Sequence, residues 1–289
     1  MAELLSMVFL PLSLAVIMLG MGMTLTPLDF KRIIVFPKAV LLGLTNQILL
    51  LPIIAFLITQ IFNLEPIMAI GLMVLAVSPG GPTSNLITHT CKGNIALSVT
   101  LTAIASFITI LTIPLILSWA LDYFGSASSV TIKLPVMDTI LQVMVITVIP
   151  ISIGMLIKKL RPVFADRMEK PMRLASAVLF ILVLGAVIAV NAETIVRGIK
   201  EVGLVTLLLN IATMGLGYLT SKVLRLDFKS IISITIESGI QNGTLAFVIV
   251  TTILKNTEMG IPIAAYSIWM FITGGILMWF LGRRKEQQS

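Results

Sequence analysis

The chain has 289 residues, of which 57% are apolar and 11% charged, against roughly 45–50% and about 25% in soluble domains. A mean hydropathy of +1.08 over the whole length means that apolar residues recur in segment after segment, which leaves no room for a sizeable soluble domain. The net charge of +7 does not call for a polyanion partner, because Lys and Arg sit in short loops between apolar runs and form no basic and aromatic stripe, so nucleic-acid binding is set aside.

With about 20 residues per crossing as the ruler, nine apolar segments are predicted, at approximately 4–24, 35–61, 66–88, 94–121, 136–158, 172–191, 202–224, 230–254 and 261–281. The first has Glu3 and no Lys or Arg before Lys31, so it lacks the basic start of a signal peptide and is expected to be a retained span. The second carries Gln47 near its middle. The third is interrupted by Ser78-Pro79-Gly80-Gly81-Pro82-Thr83-Ser84-Asn85, where four consecutive helix breakers make a continuous helix untenable. After it, His89 and Cys91 lie beside Lys92 and Gly93 in what reads as a solvated turn. One His and one Cys exclude clustered metal sites and an internal disulfide framework. The fourth segment places Ser98 and Thr102 four residues apart, on one helix face.

The eighth segment is interrupted by Glu237-Ser238-Gly239-Ile240-Gln241-Asn242-Gly243. Backbone freed by such breaks is tolerated at membrane depth only where it is buried in protein or lines a wet cavity, and broken helices in corresponding positions of two halves point to a secondary transporter's binding site. The segments divide as four and five, each half with its broken segment second from last. This arrangement suggests an inverted repeat lacking one opening helix. The fold class expected is therefore an all-α polytopic membrane protein of about nine transmembrane helices, forming one transmembrane domain over residues 1–289.

Orientation follows from the basic residues. An external N-terminus puts sixteen of the 20 on the cytoplasmic side and leaves Lys133, Arg197, Lys200 and Lys255 outside, as the positive-inside rule requires. The expected location is the cell inner membrane, with a cytoplasmic C-terminus.

Glu237 is the one acidic residue that falls inside a predicted span rather than in a loop or at a span end. A carboxylate near mid-membrane costs at least about 2.5–3.5 kcal/mol and is by default functional. No Lys or Arg occurs between Lys229 and Lys255, so a bound cation is the economical partner. Hard cations favour oxygen ligands, and Ser84, Asn85, Ser98, Thr102, Gln47 and Gln241 supply them. Packing or back-bonding remains an ordinary alternative for the hydroxyls.

Three motifs in order carry a resemblance. The "GMGMTLTPLDF" run at Gly20–Phe30, the "PGGPTSN" break at Pro79–Asn85 continuing through "KGNIALSVTLT", and the "ESGIQNG" break at Glu237–Gly243 together resemble the bile acid:sodium symporter family in its nine-span form, over nearly the whole chain. The resemblance implies two sodium sites sharing Glu237. Ser84, Asn85, Ser98, Thr102 and Glu237 would form the first, and Gln47, Glu237 and Gln241 with backbone carbonyls of Ser238 and Ile240 the second. It implies a panel of helices, about 4–24 and 136–191, packed on a core, about 35–121 and 202–281, with substrate in the cleft near Pro82, Thr83 and Asn242. Gly81-Pro82-Thr83 stands where the family commonly has Gly-Gly-Thr, which removes a backbone N–H where substrate would approach.

The function expected is sodium-coupled symport of a small organic anion, such as a bile acid, a keto acid or a pantoate-like carboxylate, with Na⁺ as coupling ion, no cofactor and a monomeric state. A proton-coupled carrier titrating Glu237 is the alternative. An intramembrane enzyme is disfavoured by the lack of a His-Glu-x-x-His, Gly-x-Ser-x-Gly or aspartate-rich diphosphate motif. A passive channel is disfavoured by the lack of repeated polar rings.

Overall fold

The computed structural model describes residues 10–126, 134–168 and 192–283, with positions 171, 172, 174, 175, 178, 182 and 185 between them. After α1 (Leu10–Thr24), proline sets where four helices begin. Its missing N–H and fixed φ suit the first helical residue, and Pro27, Pro37, Pro66 and Pro82 all stand there. They open α2 (Pro27–Val35), α3 (Pro37–Ile61), α4 (Pro66–Val77) and α5 (Pro82–Thr90).

Beyond these lie α6 (Ile95–Gly125), α7 (Val136–Leu160), α8 (Ala192–Val223), α9 (Phe228–Gly239), α10 (Gly243–Ile253) and α11 (Gly260–Gly282). Side-chain caps start three of them by satisfying an otherwise orphaned N–H. Asn94 accepts from Leu97 N at 3.1 Å, Asp227 from Ser230 N at 3.0 Å and Asn242 from Leu245 N at 3.0 Å. The described residues are helical apart from turns, and the one extended pairing among them is an isolated antiparallel bridge between Gly80 and Gln241.

Five helices are long and apolar enough to cross a bilayer: α3, α6, α7, α11 and the Lys200–Val223 part of α8. A sixth candidate is α1 taken with α2, which turn by 65° at Leu25 and Thr26. The chain is thus an integral membrane protein. The third and eighth predicted segments appear as the pairs α4 with α5 and α9 with α10. At 12 residues, α4 spans about 18 Å, short of the about 30 Å hydrocarbon core, so neither half of a broken segment crosses alone. The segment predicted at 172–191 lies largely outside the described residues.

The prediction had no place for α2. Asp29, buried on its first turn, accepts from the Thr26 backbone N–H at 2.6 Å and the Thr26 hydroxyl at 2.8 Å, and pairs with Arg32. Thr100 of α6 donates to the Asp29 carbonyl at 2.9 Å, and Phe30 meets Phe107 edge-on at 5.7 Å. The element after α1 is therefore fastened to α6.

Two helices widen by one residue just before an internal proline. The π-helical turns Asn46–Leu50 in α3 and Met144–Val148 in α7 precede Pro52 and Pro150. Proline offers no N–H and crowds the carbonyl four residues back, which such a turn relieves. The first of them carries Gln47.

The helices α1 and α7 cross closely through glycine. A Cβ on Gly22 would fall on the Ile151 carbonyl, and one on Gly154 on the Leu19 carbonyl and the Met23 nitrogen. Small residues that let backbones touch are how helices associate in lipid, where no hydrophobic force draws them together. Gly154→Val is expected to lower the thermal midpoint of the purified protein through overpacking of about 1–3 kcal/mol. Gly275→Ala, whose Cβ meets open space, should leave the midpoint unchanged or raise it. Equal midpoints for the two variants would contradict the close crossing.

Candidate functional site

The two breaks meet. Asn242 N–H donates to the Pro79 carbonyl at 2.9 Å beside the Gly80–Gln241 bridge, so α4–α5 and α9–α10 cross at their unwound residues. Glu237, near the end of α9 and 2% exposed, lies against this crossing. Gly80 makes room for it, since a Cβ there would collide with Glu237 Oε1.

Around the Glu237 carboxylate the structure gathers Ser84, Asn85, Ser98 and Thr102. Ser84 Oγ donates to Glu237 Oε2 at 2.7 Å, Ser98 Oγ lies 3.2 Å from the same oxygen, and Thr102 Oγ1 donates to Oε1 at 2.5 Å. Ser98 Oγ is also 2.8 Å from Asn85 Oδ1, and Thr102 Oγ1 is 3.5 Å from it. Each hydroxyl has one proton to give, while two carboxylate oxygens, the Asn85 Oδ1 and the carbonyls of Gly81 and Ser98 compete for them. Oxygen lone pairs outnumber the protons. Among the described residues the ion pairs are Asp29 with Arg32 and Asp166 with Lys158, so no basic side chain neutralises Glu237. An all-oxygen shell carrying one uncompensated negative charge suits a hard cation.

A second polar cluster adjoins the crossing. Gln47 Nε2 donates to the Ser78 carbonyl at 2.9 Å and to Gln241 Oε1 at 2.7 Å, and Gln241 Nε2 donates to the Ser238 carbonyl at 3.0 Å. Gln47, Gln241 and Ser238 are thus joined directly. Ile240 is buried with its N–H on the Ile236 carbonyl, and Glu237 makes no hydrogen bond to either glutamine. Those two belong to the cluster only through the chain.

Of the residues linked to substrate, Pro82 lines a cavity of about 120 Å³ bounded by Thr24, Asn85, His89 and Met172. Thr83 is half-buried. Asn242 is buried and spends its side-chain oxygen on capping α10. His89 is exposed on α5, as a solvated position would be, but Cys91 is not. It is 1% exposed within the apolar core, because it ends α5 facing inward. Burial pushes its thiol up to about 11, which makes it a poor soft-metal ligand.

Two supporting residues escaped the sequence reading. Asn210 Nδ2 and the Tyr266 hydroxyl both donate to the Gly239 carbonyl, at 2.9 and 3.0 Å, and so close the end of α9. The signal for Asn210 was the one that exposed Gln47, an amide within an apolar run.

Comparison with known proteins follows the same lines. The sequence model described as the Sodium Bile acid symporter family matches residues 11–198. The chain is similar to the probable chloroplastic sodium/metabolite cotransporter BASS1 of Arabidopsis thaliana, with 30% identity covering 95% of this chain and 67% of that protein. It is 26% identical to the sodium-dependent transporter YocS of Bacillus subtilis, over 97% of this chain and 85% of the relative. It is also 26% identical to the human ileal sodium/bile acid cotransporter, over 94% and 78%.

The crossing makes a stability prediction that needs no ligand. Gly80→Ala should destabilise the purified protein by about 1–3 kcal/mol through overpacking, because its methyl meets the carboxylate. At Gly81 a Cβ would have its nearest atom at an ordinary 3.5 Å, so Gly81→Ala should cost far less. Matching thermal midpoints for the two variants would refute the contact.

Proposed function

The chain belongs to the Sodium Bile acid symporter family, and from that premise we propose that it is a sodium-coupled secondary transporter importing a small organic anion by alternating access. The family consists of transporters and not enzymes. The observation that carries the reading is Glu237, a buried carboxylate ringed by Ser84, Asn85, Ser98 and Thr102 with no basic partner among the described residues.

In this reading Na⁺ occupies the Glu237 cluster, and a second Na⁺ is held by Gln47, Gln241 and the shared Glu237 with the carbonyls of Ser238 and Ile240. The paired breaks support a nine-span inverted repeat, with α1, α7 and the 172–191 segment as a panel against the remaining helices. The excess of Lys and Arg in alternate loops supports an external N-terminus in the cell inner membrane. The proton-coupled alternative draws no support from relatives whose names specify sodium.

A ligand that binds only the folded protein at 100 times its Kd stabilises it by about 2.7 kcal/mol. Sodium at constant pH and ionic strength should therefore raise the thermal midpoint where potassium does not, and Glu237→Gln should abolish the effect while the protein still folds. A sodium response that survives in Glu237→Gln sinks both cation sites.

The two sites separate by substitution. Thr102→Ala and Gln47→Ala should each weaken apparent sodium affinity, and neither should undo the effect of the other. Unchanged sodium titrations in both variants would dismiss the assignment of ligands.

A further inference from the structure

The Pro82 cavity carries a specificity element that the cation sites do not use. Pro82, Asn85, Leu86 and His89 line it, at the i, i+3, i+4, i+7 spacing of one helix face, so a stripe of α5 forms one wall. Gly20, Met21 and Thr24 of α1, with Met172, form the facing wall. Among all the lining residues His89 alone has a side chain able to carry charge. Its ring makes no hydrogen bond or ion pair with the described residues and is exposed.

Asn85 belongs to both environments. Its Oδ1 accepts from Ser98 within the Glu237 cluster, while its Nδ2 has no hydrogen-bond partner among the described residues. Asn85 and His89 are one helical turn apart, which sets their Cβ atoms about 5–6 Å from each other and lets one carboxylate reach both N–H groups. At about 120 Å³ the cavity lies below the about 300–1,000 Å³ of pockets that hold drug-sized ligands. A cleft this small favours a chain of a few carbons, with its apolar part against Met21, Ile95 and Val99, over a bulkier steroid.

We propose that Asn85 Nδ2 and the His89 imidazole form an anion subsite for a short monocarboxylate, and that His89 sets this preference. The proposal rests on the symporter reading and adds the substrate class and the residue that reads it. It also links the two ligands. A cation held by Asn85 Oδ1 fixes the carboxamide and presents its NH₂ group, so anion binding at this subsite depends on sodium.

The test uses the purified full-length chain, with sodium-dependent thermal shift measured first without any organic anion. His89→Leu should keep that response, because His89 lies outside the Glu237 cluster. Its absence in the wild type counts against symport itself, whatever happens at His89. At saturating sodium, 2-oxo acids and simple monocarboxylates of three to six carbons are then titrated alongside taurocholate. At least one short acid should bind the wild type in a sodium-dependent way and more tightly than taurocholate does. His89→Leu should weaken that binding about tenfold or more, as expected for losing a hydrogen bond to a charged group, and His89→Gln, which keeps an N–H donor, should recover most of it. With the sodium response intact, the subsite is overturned by unchanged affinity in His89→Leu, by taurocholate binding as tightly as the short acids, or by no short acid binding at all.

Discussion

Backbone that stops being helical inside a membrane has no solvent to fall back on, and this chain does so twice. Four carbonyls at the crossing have found donors beyond the helical ladder. Ser78 receives Gln47, Pro79 receives the Asn242 N–H, Ser238 receives Gln241, and Gly239 receives both Asn210 and Tyr266. Buried polar groups left unpaired cost several kcal/mol in hydrocarbon, so these partners are conditions for the breaks to exist. They also fix where Glu237 sits. The carboxylate, itself bonded to Ser84, Ser98 and Thr102, sits at the crossing that these bonds keep together, which places cation chemistry and structural integrity side by side.

From this point outward the packing is made of small residues and apolar faces. Gly80 admits the carboxylate, and Gly22 with Gly154 brings α1 against α7. Large apolar side chains such as Leu41, Leu57, Leu111 and Leu115 remain exposed on the outer surface, as a lipid-facing shell demands. The helix α1 runs past the crossing from a cavity of about 340 Å³ that Pro11 lines with residues of α7 and α10, to the cavity of about 120 Å³ at Thr24. Both spaces are thus walled in part by the same helix.

What the sequence disclosed was whatever hydrocarbon makes expensive. Glu237, Gln47 and the two helix-breaking runs stand out because each is costly at membrane depth unless something compensates it, and Ser98 and Thr102 joined them through simple helical spacing. Less legible were features that depend on how close two elements come. Nothing in the run Pro79-Gly80-Gly81-Pro82 says which glycine faces the carboxylate. The inward turn of Cys91 was hidden by its polar neighbours. Asn210 sat in an apolar run and was legible by the same rule that exposed Gln47, but its target, the end of another helix, was not. The sharp turn at Leu25 and Thr26 was masked because Asp29, Lys31 and Arg32 make the residues after it pass for a polar loop between spans.

That turn has a mechanical meaning. With α2 tied to α6 through Asp29, Thr100 and Phe30, only Leu25 and Thr26 separate α1 from a fixed anchorage, and two residues reach at most about 7 Å. The Thr24 end of α1 is therefore tethered, while Leu10 lies about 21 Å away along the helix axis. A tilt of only about 10° at the tether moves the far end by about 4 Å and hardly moves the near one. Any tilt about that tether, shared with α7 across the Gly22 and Gly154 contact, would displace the cleft more with distance from the His89 side.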